Sequence, residues 1–264
     1  MDLKLHGKSA LVSGSTAGIG FAIAQGLAQE GASVIITGRS LERVEQAISK
    51  IQHSNSEAKV SGIVADLAKK EGAEQVFQQV SSIDILVNNL GVYEPKAFSD
   101  ITDEDWFDIF EANVLSGVRL SRHYLPKLLE QNWGRIIFIS SESAIQIPVE
   151  MIHYGMIKTA QLAVARGLAE LTVGTQVTVN SVLAGPTRSE GVDEFVVNLA
   201  KDRGISPDEV EADFFKNVRP ISLIKRFATT DEVAAMVVYL SSPIASATNG
   251  AALRVDGGVL QSVF

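Results

Sequence analysis

Short runs of apolar, mostly β-branched residues alternate with longer stretches of helical periodicity along most of the chain. The runs 9–12, 33–37, 59–64, 83–87, 135–140, 176–182 and 252–255 predict strands. These runs are apolar on both faces rather than on one, as in a parallel sheet covered by helices on each side. Between them, residues 19–29, 41–52, 71–80, 104–131, 152–171 and 231–240 carry helical patterns. Such alternation implies right-handed βαβ units and an α/β fold with a doubly wound, seven-stranded parallel sheet. No repeat, linker or low-complexity segment divides the chain, so residues 1–264 are expected to form a single domain.

One region breaks the rhythm. Residues 189–226 are charged, contain Pro207 and Pro220, and look helical only in pieces. The acids Asp208, Glu209 and Glu211 suit a solvated helix start, where the backbone dipole favours negative charge. A long insertion after a strand's carboxyl end often covers a ligand. A lid over a substrate is the expectation here, with a plain surface excursion as the alternative.

Composition narrows the function classes. The 264 residues are 46% hydrophobic, enough for a sizeable core, and the formal charge is −8. An acidic chain of this kind is not expected to bind nucleic acid or an anionic membrane. There is no cysteine, hence no disulfide, no thiolate metal site and no cysteine nucleophile. His6, His53, His123 and His153 are scattered without ligand spacing, so no metal is expected. No segment approaches the ~18 consecutive apolar residues of a membrane helix. The first eight residues lack the apolar stretch of a signal peptide, and the expectation is a soluble cytoplasmic protein.

Three local patterns then suggest chemistry. The first strand runs into Ser13-Gly14-Ser15-Thr16-Ala17-Gly18-Ile19-Gly20, directly before a helix. Glycines there let the backbone turn tightly and approach a pyrophosphate, which the free N–H groups of the helix start would bind. The second strand ends Ile36-Thr37-Gly38-Arg39-Ser40, with no acid to bind the ribose 2′-hydroxyl of NAD. Arg39 instead suits a 2′-phosphate, with Ser40 donating a further bond. That favours NADP(H), with NAD(H) still possible, against the alternative that Arg39 is a solvated helix-start residue. Third, Tyr154 and Lys158 are spaced by about one helical turn, so their side chains share a face. An ammonium beside a phenol would lower its pKa and make it a usable proton donor and acceptor. An ordinary surface pair is the alternative for that spacing taken alone.

Taken in order, these motifs resemble those of the short-chain dehydrogenase/reductase family over nearly the whole chain. The family's Thr-Gly-x-x-x-Gly-x-Gly turn matches residues 13–20 with Ser13 for threonine, and its Asn-Asn-Ala-Gly element matches Asn88-Asn89-Leu90-Gly91. The Tyr-x-x-x-Lys pair matches Tyr154 and Lys158, the family asparagine matches Asn113, and the thirteen-residue spacing of its serine selects Ser141 over Ser140. Asp66, in Ala65-Asp66-Leu67, matches the aspartate that receives the adenine amino group. The Pro-Gly segment reads Ala184-Gly185, followed by Pro186-Thr187-Arg188-Ser189, and Val255-Asp256-Gly257-Gly258 matches the C-terminal signature.

The resemblance implies a Rossmann fold and Asn113, Ser141, Tyr154 and Lys158 as the catalytic set. It implies a cofactor site of Gly14, Ser15, Thr16, Gly18, Ile19, Gly20, Arg39, Ser40, Asp66, Leu67, Asn89, Gly91, Tyr154, Lys158, Gly185, Thr187 and Ser189. Departures also appear: Leu90 adds bulk beside the cofactor, Ala184 loses a proline constraint, and Ala17 lacks the basic residue of many NADPH users. The implied activity is reduction of a small or medium carbonyl substrate, or oxidation of the alcohol, with Tyr154 as general acid. The alternatives are a 3-oxoacyl-carrier-protein reductase and a noncatalytic NADP-binding regulator. The first is weakened by Pro126 and Thr175, which stand where carrier-docking arginines are expected. The second is weakened by the complete catalytic set. Tyr93, Gln146, Ile147, His153 and Arg188 lie near these elements in sequence, as pocket candidates or as packing and surface residues. His153 precedes Tyr154 by one position and points about 100° away around a helix, so no catalytic role is expected. Residues 104–131 and 152–171 resemble the family's dimer helices, and the apolar end 251–264 suits a second interface; a homotetramer or homodimer is implied.

Overall fold

The computed structural model describes residues 2–263; Met1 and Phe264, the two ends of the expected domain, lie outside the described residues. Seven strands form one parallel sheet: β1 Ser9–Val12, β2 Ser33–Gly38, β3 Val60–Val64, β4 Ile85–Asn88, β5 Gly134–Ser141, β6 Val177–Ala184 and, after a short parallel pair β7 Thr187–Arg188 and β8 Ala228–Thr229, β9 Ala252–Val255. Their order is β3-β2-β1-β4-β5-β6-β9. The chain therefore builds outward from β1 to β3, returns to place β4 on the other side of β1, and builds outward again. Ligands of such sheets bind where the direction reverses, outside the carboxyl ends of the strands. Here that crevice lies between the loops after β1 and β4.

Strand residues alternate between two helical layers, as a period of two requires. Ala10, Val12, Ile137 and Ile139 pack on one face with Ile23 and Leu27 of α1 (Gly18–Gln29), Ile51 of α2 (Leu41–Ser54) and Val237 of α9 (Thr230–Ser241). Leu11, Leu86, Ile136 and Phe138 face the other way, against Val76 of α3 (Lys70–Gln79), Leu120 and Leu128 of α5 (Ser116–Glu130) and Ala165 of α6 (Ile152–Glu170). With both faces covered, every residue of β5 and β6 is buried, the polar Arg135, Thr178, Asn180 and Ser181 included.

One expectation needs correction. The single helix over 104–131 is interrupted: α4 (Asp103–Phe110) and α5 are joined by a π-helical turn, Glu111–Leu115. Asn113 sits in that turn, its Nδ2 donating to the Ile109 carbonyl at 2.9 Å and to Val92 O at 3.1 Å. Such bulges widen a helix by one residue and recur at functional sites. Residues 189–226 are helical in pieces, as expected, forming α7 (Glu190–Arg203), α8 (Pro207–Asp213) and a further π turn, Phe214–Val218. Ser206 caps α8 in a reciprocal box with Glu209, with Pro207 opening the helix. Val196, Ala200, Val210, Phe215 and Phe227 give this excursion a small apolar core of its own.

Candidate active site

At the end of β1 the chain turns through Gly14 (φ +62°) and Gly18 (φ +58°), both in the left-handed region. A Cβ on Gly20 would lie 2.3 Å from Asn89 Nδ2 and 2.5 Å from Gly14 O, so only glycine lets α1 pack against the turn. Ala17 precedes α1 without any side-chain cap, and the first turn carries no acid. The helix start therefore keeps its N–H donors and positive dipole end for an anion. Ser13 Oγ accepts from both Asn89 N and Leu90 N at 2.9 Å, and Asn89 Nδ2 donates back to Ser13 O and Gly14 O. The serine hydroxyl thus performs the tie that joins the loops after β1 and β4.

The remaining cofactor candidates divide by what their side chains do. Ser15 is fully buried, donating to Val12 O at 2.7 Å and accepting from Thr37 N at 3.0 Å, so its hydroxyl staples β1 to β2 and leaves only its backbone to a ligand. Thr37, which the motif reading passed over, accepts from Gly14 N at 3.1 Å and fixes the turn from the β2 side. Thr16 and Gly18 line an open depression of about 450 Å³ with Phe21, Arg43, Lys50 and Glu190. Arg39, directly after β2, is exposed and makes no ion pair among the described residues. Ser40 Oγ accepts from Arg43 N as the cap of α2 and keeps its hydrogen to donate. Asp66 Oδ1 receives Ala68 N at 3.1 Å, and Leu67 is buried beneath it.

A second depression, about 220 Å³, opens beside the first where Gly18 faces Ser189. Ile19, Asn89, Gly91, Asn113, Ser141, Tyr154, Lys158, Gly185, Thr187 and Ser189 all line it. The four expected catalytic residues therefore converge, from the π turn, the end of β5 and one face of α6. Ser140 Oγ is turned away to donate to Lys158 O at 3.0 Å, whereas Ser141 lies within hydrogen-bonding reach of the Tyr154 phenol. Lys158 is buried, donates to Ile139 O at 3.0 Å and stands 5.5 Å from the Tyr154 ring centroid. Burial lowers its pKa to about 8.

The tyrosine differs from expectation. Burial pushes the Tyr154 phenol above its ordinary value and the charge of Glu142 pushes it further, against a hydrogen bond with Ser141 that pulls it down. Lys158 does not set that balance from its place over the ring. The phenol is consequently held in its protonated, donating form. Asn113 stands on the far side of Lys158, its Oδ1 accepting from Val92 N at 3.2 Å and its carbonyl receiving Gln161 Nε2 at 2.8 Å.

Behind the site, a Cβ on Gly185 would lie 2.6 Å from Asp256 Cα. Asp256 in turn receives Gly258 N and Leu260 N, which fixes the C-terminal signature as a turn. Leu223 N donates to Gly257 O at 2.9 Å, so the 189–226 excursion is seated on that turn. Arg188 is spent on Asp193 and Glu211, both at 2.6 Å, and holds the excursion together. His153 is buried edge-on to Trp106 at 5.9 Å, outside the pocket. Tyr93 lines the pocket with its ring 6.1 Å from that of Tyr154, and Ile147 is exposed and packs against Gly155, outside the lining. Sequence reasoning missed Val92, Ile139 and Val192, which line the pocket, and Glu142 beside Ser141. The first three read as ordinary apolar residues; Glu142 was visible only as one more charge.

A doubly wound sheet, a glycine turn at its switch point and a serine, tyrosine and lysine at the strand ends together define a nucleotide-dependent oxidoreductase. Comparison with known proteins agrees. A family model described as enoyl-(acyl carrier protein) reductase matches residues 14–260. An uncharacterized oxidoreductase of Bacillus subtilis (strain 168), YvaG, is 50% identical over 100% of both chains. The 3-oxoacyl-[acyl-carrier-protein] reductase of Aquifex aeolicus is 32% identical over 98% of this chain and 100% of its own. Among solved structures, L-sorbose reductase from Gluconobacter frateurii, complexed with NADPH and L-sorbose, superposes with a TM-score of 0.92 at 30% identity, covering 100% of both chains. The chain belongs to the short-chain dehydrogenase/reductase family, whose members act as oxidoreductases on alcohol and carbonyl groups.

Proposed function

We propose that this protein is an NADPH-dependent reductase of small or medium ketones, working reversibly as an alcohol dehydrogenase. The convergence of Ser141, Tyr154 and Lys158 in one pocket at the strand ends carries the reading. The residues present fit the cofactor: the uncapped start of α1 and the Gly14–Gly20 turn suit its pyrophosphate, and Asp66 with Leu67 its adenine. Arg39 and Ser40 suit a 2′-phosphate, a choice that L-sorbose reductase, complexed with NADPH, supports. Lys158, Asn89, Gly91, Gly185, Thr187 and Ser189 would hold the nicotinamide end.

The bound nicotinamide supplies a hydride to the carbonyl carbon. The protein's own task is then one proton and one charge. Tyr154, its phenol kept protonated by burial and by Glu142, donates the proton to the substrate oxygen. Ser141 donates a hydrogen bond to the same oxygen as negative charge develops there. Lys158 places a buried positive charge beneath them, and Asn113 anchors the polar end of the site toward solvent. Residues 189–226, seated on Gly257, act as the substrate lid. The apolar groove of Val118, Leu125, Val164 and Leu168 on α5 and α6 supports a homodimer or homotetramer.

The test is consumption of NADPH and NADH against cyclic ketones, α-diketones, β-keto esters and a 3-oxoacyl thioester. Turnover of simple ketones with NADPH supports the proposal. Preference for the thioester would replace it with the carrier-protein reading, and tight NADPH binding without any turnover would replace it with a cofactor-sensing role.

A further inference from the structure

Glu142 is a buried carboxylate beside the catalytic pocket; its charge helps keep the Tyr154 phenol protonated, but that leaves its hydrogen bond with Ser141 unexplained. It is 5% exposed, on the turn that follows β5. Its Oε2 accepts from Ser141 Oγ at 2.5 Å, from Ser143 N at 2.9 Å and from Ser143 Oγ at 3.3 Å. Its Oε1 faces Arg219 Nε of the 189–226 excursion at 3.5 Å, an ion pair too long for a full hydrogen bond. Arg219 is itself shared with Glu150, 3.6 Å away.

A serine hydroxyl has one hydrogen to give. Two acceptors lie in reach of Ser141, the neutral Tyr154 phenol and the Glu142 carboxylate at 2.5 Å, and the charged carboxylate takes the hydrogen. What Ser141 then presents to a substrate oxygen is lone pairs, which repel the negative charge it is meant to stabilise. Ser141 becomes a donor to the carbonyl only when Glu142 Oε2 receives another donor in its place. Arg219 addresses the other oxygen, and Ser143 already donates. The missing donor has to arrive with the substrate.

We propose that Glu142 is a specificity residue that accepts a hydrogen bond from a hydroxyl on the carbon adjacent to the reacting carbonyl, and that the substrates are α-hydroxyketones. Oxygens on neighbouring carbons are separated by about the length of a hydrogen bond. A carbonyl oxygen seated on Ser141 and Tyr154 therefore brings an α-hydroxyl within reach of Glu142. That hydroxyl satisfies the carboxylate and releases the serine hydrogen to the carbonyl. The pocket lining includes the exposed side chains of Val92 and Tyr93, which suit an apolar substituent on the far side of the ketone. In the reaction the ketone carbon gains the hydride of the reduced nicotinamide and its oxygen gains the Tyr154 proton, giving a vicinal diol and the oxidised cofactor.

This inference rests on the reductase reading, and its experiment separates the two. Wild type, E142A and E142Q are compared on matched pairs, 2-hydroxycyclohexanone with cyclohexanone and acetoin with 2-butanone, by kcat/KM. Wild type is expected to prefer the hydroxylated member by about 10²-fold or more, since a site built to bind a hydroxyl rejects the analogue lacking it. In E142A the preference falls to within about tenfold of unity, and turnover of the plain ketone rises because Ser141 is released. E142Q keeps the side-chain volume and is expected to reduce the preference in the same direction, with a retained melting temperature separating the effect from misfolding. A wild-type ratio near one, or a ratio that neither variant moves, overturns the role of Glu142 alone. Absence of turnover by wild type with every carbonyl and both cofactors overturns the reductase reading, and this inference with it.

Discussion

Replacing Ser13 by alanine should damage fold and site together. Ser13 Oγ is 1% exposed with its residue, donates to Val87 O at 3.3 Å and receives the N–H groups of Asn89 and Leu90 at 2.9 Å each. Alanine removes the acceptor and leaves Leu90 N–H facing a buried methyl group, while Asn89 N–H keeps the Val87 carbonyl at 3.1 Å. An orphaned buried donor costs about 1–3 kcal/mol. At about 2–4 °C per kcal/mol for a chain near this size, the melting temperature falls by roughly 2–12 °C. The same bonds set the distance between the glycine turn and Asn89, so NADPH binding weakens in parallel. Thermal unfolding monitored by circular dichroism, with and without NADPH, measures both. Ser13→Thr, which keeps the hydroxyl, should remain within about 1 kcal/mol of wild type. An alanine variant that melts within about 2 °C of wild type would refute the reasoning.

Other consequences follow from the same geometry. Arg39→Ala should weaken NADPH by about 10–100-fold, the worth of a charge-assisted bond to phosphate, while leaving NADH nearly unchanged; equal losses for both would remove Arg39 from the 2′-phosphate site. Gly20→Ala puts a methyl 2.3 Å from Asn89 Nδ2 and 2.5 Å from Gly14 O, so NADPH affinity should fall more than about tenfold, and an unchanged dissociation constant would contradict the packing. Lys158 titrates near 8 in the folded protein against its ordinary 10.5. The unfolded chain therefore binds the extra proton between those values, and this residue's contribution to stability rises with pH across that window. Its cationic form is lost over the same window, so kcat/KM for reduction should be flat below about pH 8 and fall above it; a profile still flat two units higher would contradict a catalytic ammonium.

Much of the fold was legible because a sheet buried on both faces leaves an unmistakable apolar run. The edges moved by one or two residues: β6 extends to Ala184, and β4 begins at Ile85. The convergence of Asn113, Ser141, Tyr154 and Lys158 was legible because their spacing is tied to helix and strand periods. Ser140 and Ser141 alternate along a strand, which sends one hydroxyl to the Lys158 carbonyl and the other toward the Tyr154 phenol. The π turn at Asn113 was not legible, since Glu111-Ala112-Asn113-Val114-Leu115 has ordinary helical composition. Its cause is a set of long-range bonds, to Val92 and from Gln161. The raised phenol was hidden for a similar reason. Local spacing places Lys158 beside Tyr154, but only the tertiary fold buries both and brings the Glu142 charge against them.

The central claim, that Tyr154 transfers the proton while hydride reaches a carbonyl, is tested most directly by Tyr154→Phe. The phenylalanine keeps the ring contact with Tyr93 and removes only the hydroxyl. With the best ketone from the panel and saturating NADPH, turnover should fall by about 10²–10⁴-fold while NADPH affinity stays close to wild type. A variant that keeps more than about a tenth of the wild-type rate would contradict the account, because the proton would then come from a group other than the Tyr154 phenol.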